Sequence, residues 1–153
     1  MSAKNRPVGF WVIVVFFVIA TVLILIGQTV AIFNYDLTVQ LGLQESPDEV
    51  GQYGVQVNRA FGVGDTIVYI PLMIASLLGL WLKKRWSLIT TAAVASISVY
   101  WSVTCTVMFV FLKSTANYKY QPGLEIWIYL AAFCIFGVWG LWYVLCRGEC
   151  LLE

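Results

Sequence analysis

The sequence contains no histidine and few charged residues. Of its 153 residues 11% are charged, against about a quarter in an ordinary soluble domain, and the formal net charge is +1. Without histidine the chain lacks the commonest metal ligand, the usual general base near neutral pH and any Ser–His or Cys–His pair. It also lacks a glycine-rich phosphate loop and a basic cluster suited to nucleic acid. We therefore predict no catalytic residue, no metal, no cofactor and no nucleic-acid partner, and we favour a non-enzymatic role while leaving an enzyme open.

Cysteine is also sparse. Cys105 and Cys134 lie inside apolar runs, and Cys146 and Cys150 form the pattern "CRGEC" near the carboxyl end. This spacing is not a CxxC redox motif, and two thiols alone make a poor zinc site. We interpret all four as buried or free cysteines and leave acylation, metal binding or redox chemistry open for the last two.

Apolar residues dominate the rest of the chain. They make up 61% of the residues, and the mean hydropathy is +0.85. A chain of this size cannot hide so much apolar surface from water, so a lipid bilayer is the predicted environment. Four stretches reach the roughly 20 residues that a helix needs to cross a bilayer. The sequence predicts one integral membrane domain over 1–153, an all-α bundle of four transmembrane helices at about 8–33, 65–82, 86–112 and 124–146.

The first stretch follows basic residues, as a signal peptide does. Its apolar run is too long for a signal peptide, so we interpret it as a retained anchor. Six basic residues fall at the termini or in the "KKR" connection at 83–85, and three fall on the other side. This difference predicts cytoplasmic termini, and the location that we expect is the cell (inner) membrane.

The connection at 34–64 contains a strong helix start, "SPDE" at 46–49. Ser46 is suited to capping, Pro47 to the first helical position, and the two acids to the positive end of a helix. An apolar stripe follows at spacings of three and four, formed by Val50, Tyr53, Val57 and Phe61. We predict a short extracytoplasmic amphipathic helix between the first two spans. The sequence leaves open whether it bends at Gly62 and Gly64 or continues into the second span.

Asp65 has two interpretations. It is either the cap at the start of the second span or a residue of a binding site. If the helix is continuous, one face is polar or small for five turns. That face consists of Asn58, Gly62, Asp65, Tyr69, Ser76 and Gly79.

Polar and aromatic residues at unusual depths point to a cavity among the helices. Ionisable side chains inside a membrane normally face the bundle interior or a water-filled cavity. Aromatic rings together with carboxylates suit a cation or an amphipathic molecule. The predicted ligand-binding residues are Asp65, Asp36, Tyr69, Tyr100, Trp101, Glu125, Gln28, Asn58 and Arg59.

The arrangement resembles the EXPERA family, which includes sterol isomerases and the sigma-2 receptor. The residues that carry the resemblance are Asp36 in "FNYDL" and Asp65 with Pro71 in "DTIVYIP", followed by a tight basic turn. The resemblance implies four membrane helices, cytoplasmic termini and an intramembrane ligand pocket faced by acidic residues of the first two helices. The chain also looks like small four-helix prokaryotic membrane proteins with no assigned activity.

Three functions fit these features. The first is binding of a small amphipathic or cationic ligand, or a lipid, in an intramembrane pocket open to the outer side. The alternatives are an assembly or structural subunit of a membrane complex and a small proton-coupled transporter. The predicted partners are the lipid bilayer, such a ligand, and a second copy of the chain or another membrane protein.

Overall fold

The computed structural model describes residues 6–115 and 118–152, and over these residues the secondary structure is helical, without a strand. Four helices are long and apolar enough to cross a membrane, which confirms the predicted fold class in its coarse form. These spans are Val8–Phe33, Pro47–Trp81, Trp86–Leu112 and Leu124–Leu151.

Two of the spans contain a π-helical turn, here named π1 and π2. The elements in chain order are α1 (Val8–Ile24), π1 (Leu25–Thr29), α2 (Val30–Phe33), α3 (Tyr35–Gln40), α4 (Pro47–Gly64), π2 (Asp65–Tyr69), α5 (Ile70–Trp81), α6 (Trp86–Leu112) and α7 (Leu124–Leu151).

The second span begins much earlier than predicted. We placed its start near Asp65 and left open whether the preceding helix bends or continues into the span; it continues, since α4, π2 and α5 follow one another without interruption from Pro47 to Trp81. A separate short helix is therefore not supported, and the one interior break in α4 is at Gly51, where φ is 70°. Gly62 stays helical because its missing side chain allows a close crossing: a Cβ there would lie 2.6 Å from the carbonyl oxygen of Gln28.

The start of α4 follows the predicted signal. The helix begins at Pro47, and the backbone N–H and the hydroxyl of Ser46 both donate to the Glu49 carboxylate, at 3.1 and 2.8 Å. The side chain of Glu49 thus satisfies donors that the first turn leaves unpaired.

Each span is only partly covered by protein. About a third of the most apolar window of each span is buried, 39% in the second and 33% in the others. The core lies among α1, α5, α6 and α7 and includes Phe10, Phe17, Met73, Val94 and Phe136. The apolar surface left outside this core exceeds what a protein in water normally exposes, and it fits a bilayer.

Arg6, just before α1, joins the carboxyl ends of two other helices. Its guanidinium donates to the carbonyls of Leu80 and Trp81 at 3.2 and 3.0 Å and to that of Leu151 at 3.3 Å. It also lies 4.5 Å from the centre of the Phe10 ring. The last carbonyls of a helix have no partner within the helix, so Arg6 caps α5 and α7 together.

Glycine allows α6 and α7 to approach closely. Gly137 is buried, and a Cβ there would lie 2.7 Å from the carbonyl oxygen of Ala95 and 2.6 Å from a methyl group of Val99. Small residues at such crossings let helices in lipid pack through their backbones.

Substitution of Gly137 by alanine is expected to lower the free energy of unfolding by about 1–3 kcal/mol, because the added methyl group forces the helices apart. The matched control is Gly64→Ala, since no atom lies within 4 Å of a Cβ at Gly64. That variant should be neutral or gain about 0.4–1 kcal/mol. Thermal unfolding of both variants in detergent checks this, and equal losses would contradict the role of Gly137.

Candidate functional site

The two π turns lie against each other in the interior. The hydroxyls of Thr29 in π1 and Thr66 in π2 are 2.8 Å apart, and Thr66 also donates to the carbonyl of Gly62 at 2.7 Å. Pro71 is the second residue of α5, just beyond π2, and has no N–H to donate to the preceding turn, which favours an irregular turn there. π turns of this kind occur frequently at functional sites.

A cavity of about 340 Å³ opens beside these turns. This volume is in the range of small-molecule sites. Residues of α1, π1, the connection before α4, α4, π2, α6 and α7 line it. Three of the lining residues are carboxylates, namely Glu45, Asp65 and Glu125, and among the described residues no Lys or Arg lines the cavity.

Asp65 is the buried carboxylate of this cavity. Its side chain is 7% exposed, and within residues 6–115 and 118–152 it has no hydrogen bond or ion pair. One turn further, the hydroxyl of Tyr69 is 2.5 Å from that of Ser98 on α6, and Ser98 donates in turn to the carbonyl of Val94 at 2.9 Å. Because α4, π2 and α5 are continuous, Asp65 lies inside a helix and not at its start. The interpretation of Asp65 as a helix cap is therefore wrong.

Two other lining residues have buried polar atoms without a partner in the described part of the chain. These atoms are Oε1 of Gln28 and Nε1 of Trp101. The Trp101 ring contacts Tyr129 and Phe133 on α7, with ring centres 5.7 and 6.1 Å apart. Buried polar atoms are nearly always matched by protein, water or ligand, so these two atoms are available to accept and to donate a hydrogen bond to a bound molecule.

One end of the cavity, here called the mouth, is formed by Gln44, Glu45, Asn58 and Glu125. Gln44 donates to the carbonyl of Gly27 in π1 at 3.2 Å, and Asn58 donates to the Glu45 carboxylate at 2.6 Å. Asn58 also donates to the hydroxyl of Tyr35 at 3.0 Å, and this hydroxyl donates to the backbone carbonyl of Glu45 at 3.0 Å. These bonds hold an otherwise irregular connection against the bundle.

The mouth is electrically negative. Burial raises the pKa of Glu45 above its ordinary value, opposed by the hydrogen bond from Asn58. Burial, followed by the charges of Glu45 and Glu125, raises the pKa of Tyr120 to about 12. Because these acidic groups disfavour any added negative charge, the mouth favours cations over anions.

Six of the nine predicted site residues line the cavity, and three do not. The six are Gln28, Asn58, Asp65, Tyr69, Trp101 and Glu125. Asp36 is exposed on α3, because the first span ends before it. Tyr100 is 69% exposed on the far side of α6 from the cavity. The guanidinium of Arg59 donates instead to the carbonyl of Ile32 at 2.8 and 3.2 Å, where it closes the end of α2.

Several lining residues were not predicted. Glu45 lies in a connection without a periodic pattern, and its position depends on Asn58 and Tyr35. Tyr129 and Phe133 lie on α7 at a spacing of four behind Glu125, which places the three on one helix face. That spacing is visible in the sequence. Because an apolar helix contains many such spacings, it does not by itself identify these residues as part of a site.

The cavity combines acidic, aromatic and apolar side chains. In the described ranges no group of three or more His, Cys, Asp or Glu side chains could hold a metal ion. Cys105 lines the cavity as a buried free thiol. What the cavity offers is negative charge, aromatic faces and apolar walls, which together complement an amphipathic cation.

No family model matches the chain, and comparison with the curated proteins and with the solved structures gave no significant match.

Proposed function

We propose that the protein binds a small amphipathic cation, either a free molecule or a lipid with a cationic head, in the cavity beside Asp65. The observation that carries the proposal is Asp65 itself, which lines the cavity, is 7% exposed and has no partner among the described residues. An ionised group inside a membrane costs roughly 2.5–3.5 kcal/mol, and a bound cation would offset this cost.

The neighbours of Asp65 support a ligand that is partly apolar. Trp101 and Tyr129 present aromatic rings, and Leu23 and Leu130 present aliphatic side chains. A cation held against an aromatic face gains about 0.5–2 kcal/mol. An apolar body of the ligand would cover the rest of the wall.

The proposal includes an orientation. With both termini and the 83–85 connection on the cytoplasmic side, the mouth and the first turns of α4 lie on the outer side. Support comes from the count of basic residues, six against three, although Lys4 lies outside the described residues. The resemblance to the EXPERA family stays a prediction.

Three ligands of one chain length test the proposal: octylammonium, octanol and octanoate, each added to the protein purified in detergent. A ligand at one hundred times its Kd stabilises the folded state by about 2.7 kcal/mol. For a chain of this size that corresponds to a rise in Tm of about 5–10 °C.

Only octylammonium should produce a saturable rise. An equal rise with octanol would contradict a role for charge, and a rise with octanoate would contradict the assignment of Asp65. A fixed partner protein that co-purifies with the chain and fills the cavity would favour the assembly role instead.

A further inference from the structure

We propose that the ligand is a linear dication, a long-chain diamine, that binds with one ammonium group at Asp65 and the other at the carboxylates of the mouth. This inference rests on the proposed function and makes its ligand class specific.

The carboxylates lie at two levels along α4. Asn58, which binds the Glu45 carboxylate at 2.6 Å, precedes Asp65 by seven residues. At 1.5 Å per residue, the two levels are about 10 Å apart along the helix axis. Glu125 lies at the first turn of α7, and its charge acts on Tyr120 together with that of Glu45, which places the two acids near each other. The cavity therefore has a deep negative site and a negative mouth, and both belong to one continuous space.

The charge balance favours two positive charges over one. The lining contains three carboxylates and, in the described residues, no Lys or Arg. A single ammonium at Asp65 would leave Glu45 and the exposed Glu125 without a positive partner among the lining residues. A second ammonium, still protonated at neutral pH like that of lysine, would neutralise this end.

The wall between the two levels is apolar. Phe61 lies between the two levels on α4, and Met108 of α6 and Ile126 and Leu130 of α7 also line the cavity. Such a wall suits a chain of methylene groups, each of which gains about 0.8 kcal/mol on burial. Gln28 adds an unpartnered carbonyl oxygen that can accept a hydrogen bond from an ammonium group.

Chain length follows from this geometry. An extended chain advances about 1.2 Å per bond, so a diamine needs about seven methylene groups to place its nitrogens about 10 Å apart. Diaminoheptane meets this requirement. Putrescine is too short to reach both levels at once.

Calorimetric titration of the purified protein with diaminoheptane, putrescine and heptylamine tests the inference. Diaminoheptane should bind at least about tenfold more tightly than either of the others. This order is informative because the hydrophobic effect alone predicts the opposite preference, for heptylamine, whose far end is apolar. Heptylamine binding as tightly as diaminoheptane would overturn the dication and leave the proposed function standing. No binding of any of these amines would overturn both.

One variant and its control locate the binding site of the second ammonium group. Glu45→Gln should bring the ratio of the diaminoheptane and heptylamine affinities down towards one, because the second ammonium loses its partner. Asp36→Asn removes an exposed carboxylate outside the cavity and should leave this ratio as it is. A ratio unchanged by Glu45→Gln would overturn the assignment of the mouth, and thermal unfolding of the ligand-free variant confirms that it folds.

Discussion

Replacing Asp65 by asparagine is expected to weaken binding of an alkylammonium ligand by at least about 30-fold. Removing one partner of a buried, hydrogen-bonded charge pair costs about 2–5 kcal/mol, and each 1.4 kcal/mol is a factor of ten in affinity. The substitution keeps the shape of the side chain, so the cavity itself should persist. Calorimetric titration with octylammonium measures the loss.

The same substitution should stabilise the ligand-free protein, although it weakens ligand binding. The carboxylate of Asp65 is 7% exposed and unpartnered in the described residues, so its ionised form destabilises the empty protein. Asp65→Asn should therefore raise the Tm without ligand while it abolishes the rise caused by ligand.

Asp36→Asn is the control, since this residue has the same chemistry and is exposed on α3. It should change neither quantity. Loss of the ligand effect together with a lower Tm would identify Asp65 as a structural residue and contradict its role in binding.

Replacing Arg6 by alanine is expected to lower the free energy of unfolding by about 2–3 kcal/mol. The guanidinium donates to carbonyls of α5 and α7 at 3.0–3.3 Å. Each hydrogen bond from a charged group contributes about 1.5–3 kcal/mol, and the partial exposure of Arg6 lowers the sum of the three. The loss corresponds to a fall in Tm of about 5–10 °C in detergent. Arg6→Lys should recover only part of it, because an ammonium cannot match the fork of a guanidinium.

Arg85→Ala provides the comparison for Arg6. Arg85 pairs with Glu149 at 3.3 Å, but the two side chains are 82% and 70% exposed. An exposed pair contributes at most about 1 kcal/mol, so this variant should unfold close to the original temperature. Similar losses for the two arginine variants would show that Arg6 is an ordinary surface residue.

The four spans could be predicted because their physical requirement is simple. A run of about 20 apolar residues in lipid has to satisfy its backbone internally, and a helix does so. The start of the second span was not predicted correctly, because Gly62 and Gly64 indicate a break when only local preference is considered. Gly62 instead permits contact with the backbone of Gln28, which is a tertiary requirement that no local pattern contains.

The candidate site was predictable where one helix face is distinctive. The face from Asn58 to Gly79 was expected to be polar or small, and its members are buried or line the cavity. On α6, buried Ser98 and Ser102 mark the inner face. Successive residues of an α-helix are rotated by about 100° around its axis. Trp101 therefore points about 60° from Ser98, while Tyr100 points about 160° away.

Asp36 and Glu45 illustrate a feature of the site that the sequence could not predict. Both are acids near the end of the first span, and only the folded connection determines which of them reaches the mouth. Glu45 does so because Asn58 and Tyr35 hold it there, while Asp36 remains exposed. The different positions of the two acids thus depend on contacts between residues 10 to 23 positions apart in sequence, which a local pattern does not contain.

The facing π turns also constrain how the chain tolerates changes in length. Each is equivalent to one residue inserted into an α-helix, and the amides of Val30 and Ile70 accordingly bond to carbonyls five positions back, those of Leu25 and Asp65. Because this wider turn takes up the extra residue locally, deleting one residue from π2 would restore regular winding and leave the direction of the following faces nearly unchanged. Ser76 and Gly79, both buried in α5, would then keep facing the bundle, whereas the same deletion inside regular α-helix would rotate them by about 100°. The π turn thus marks the point of this helix at which the loss of one residue disturbs the packing least.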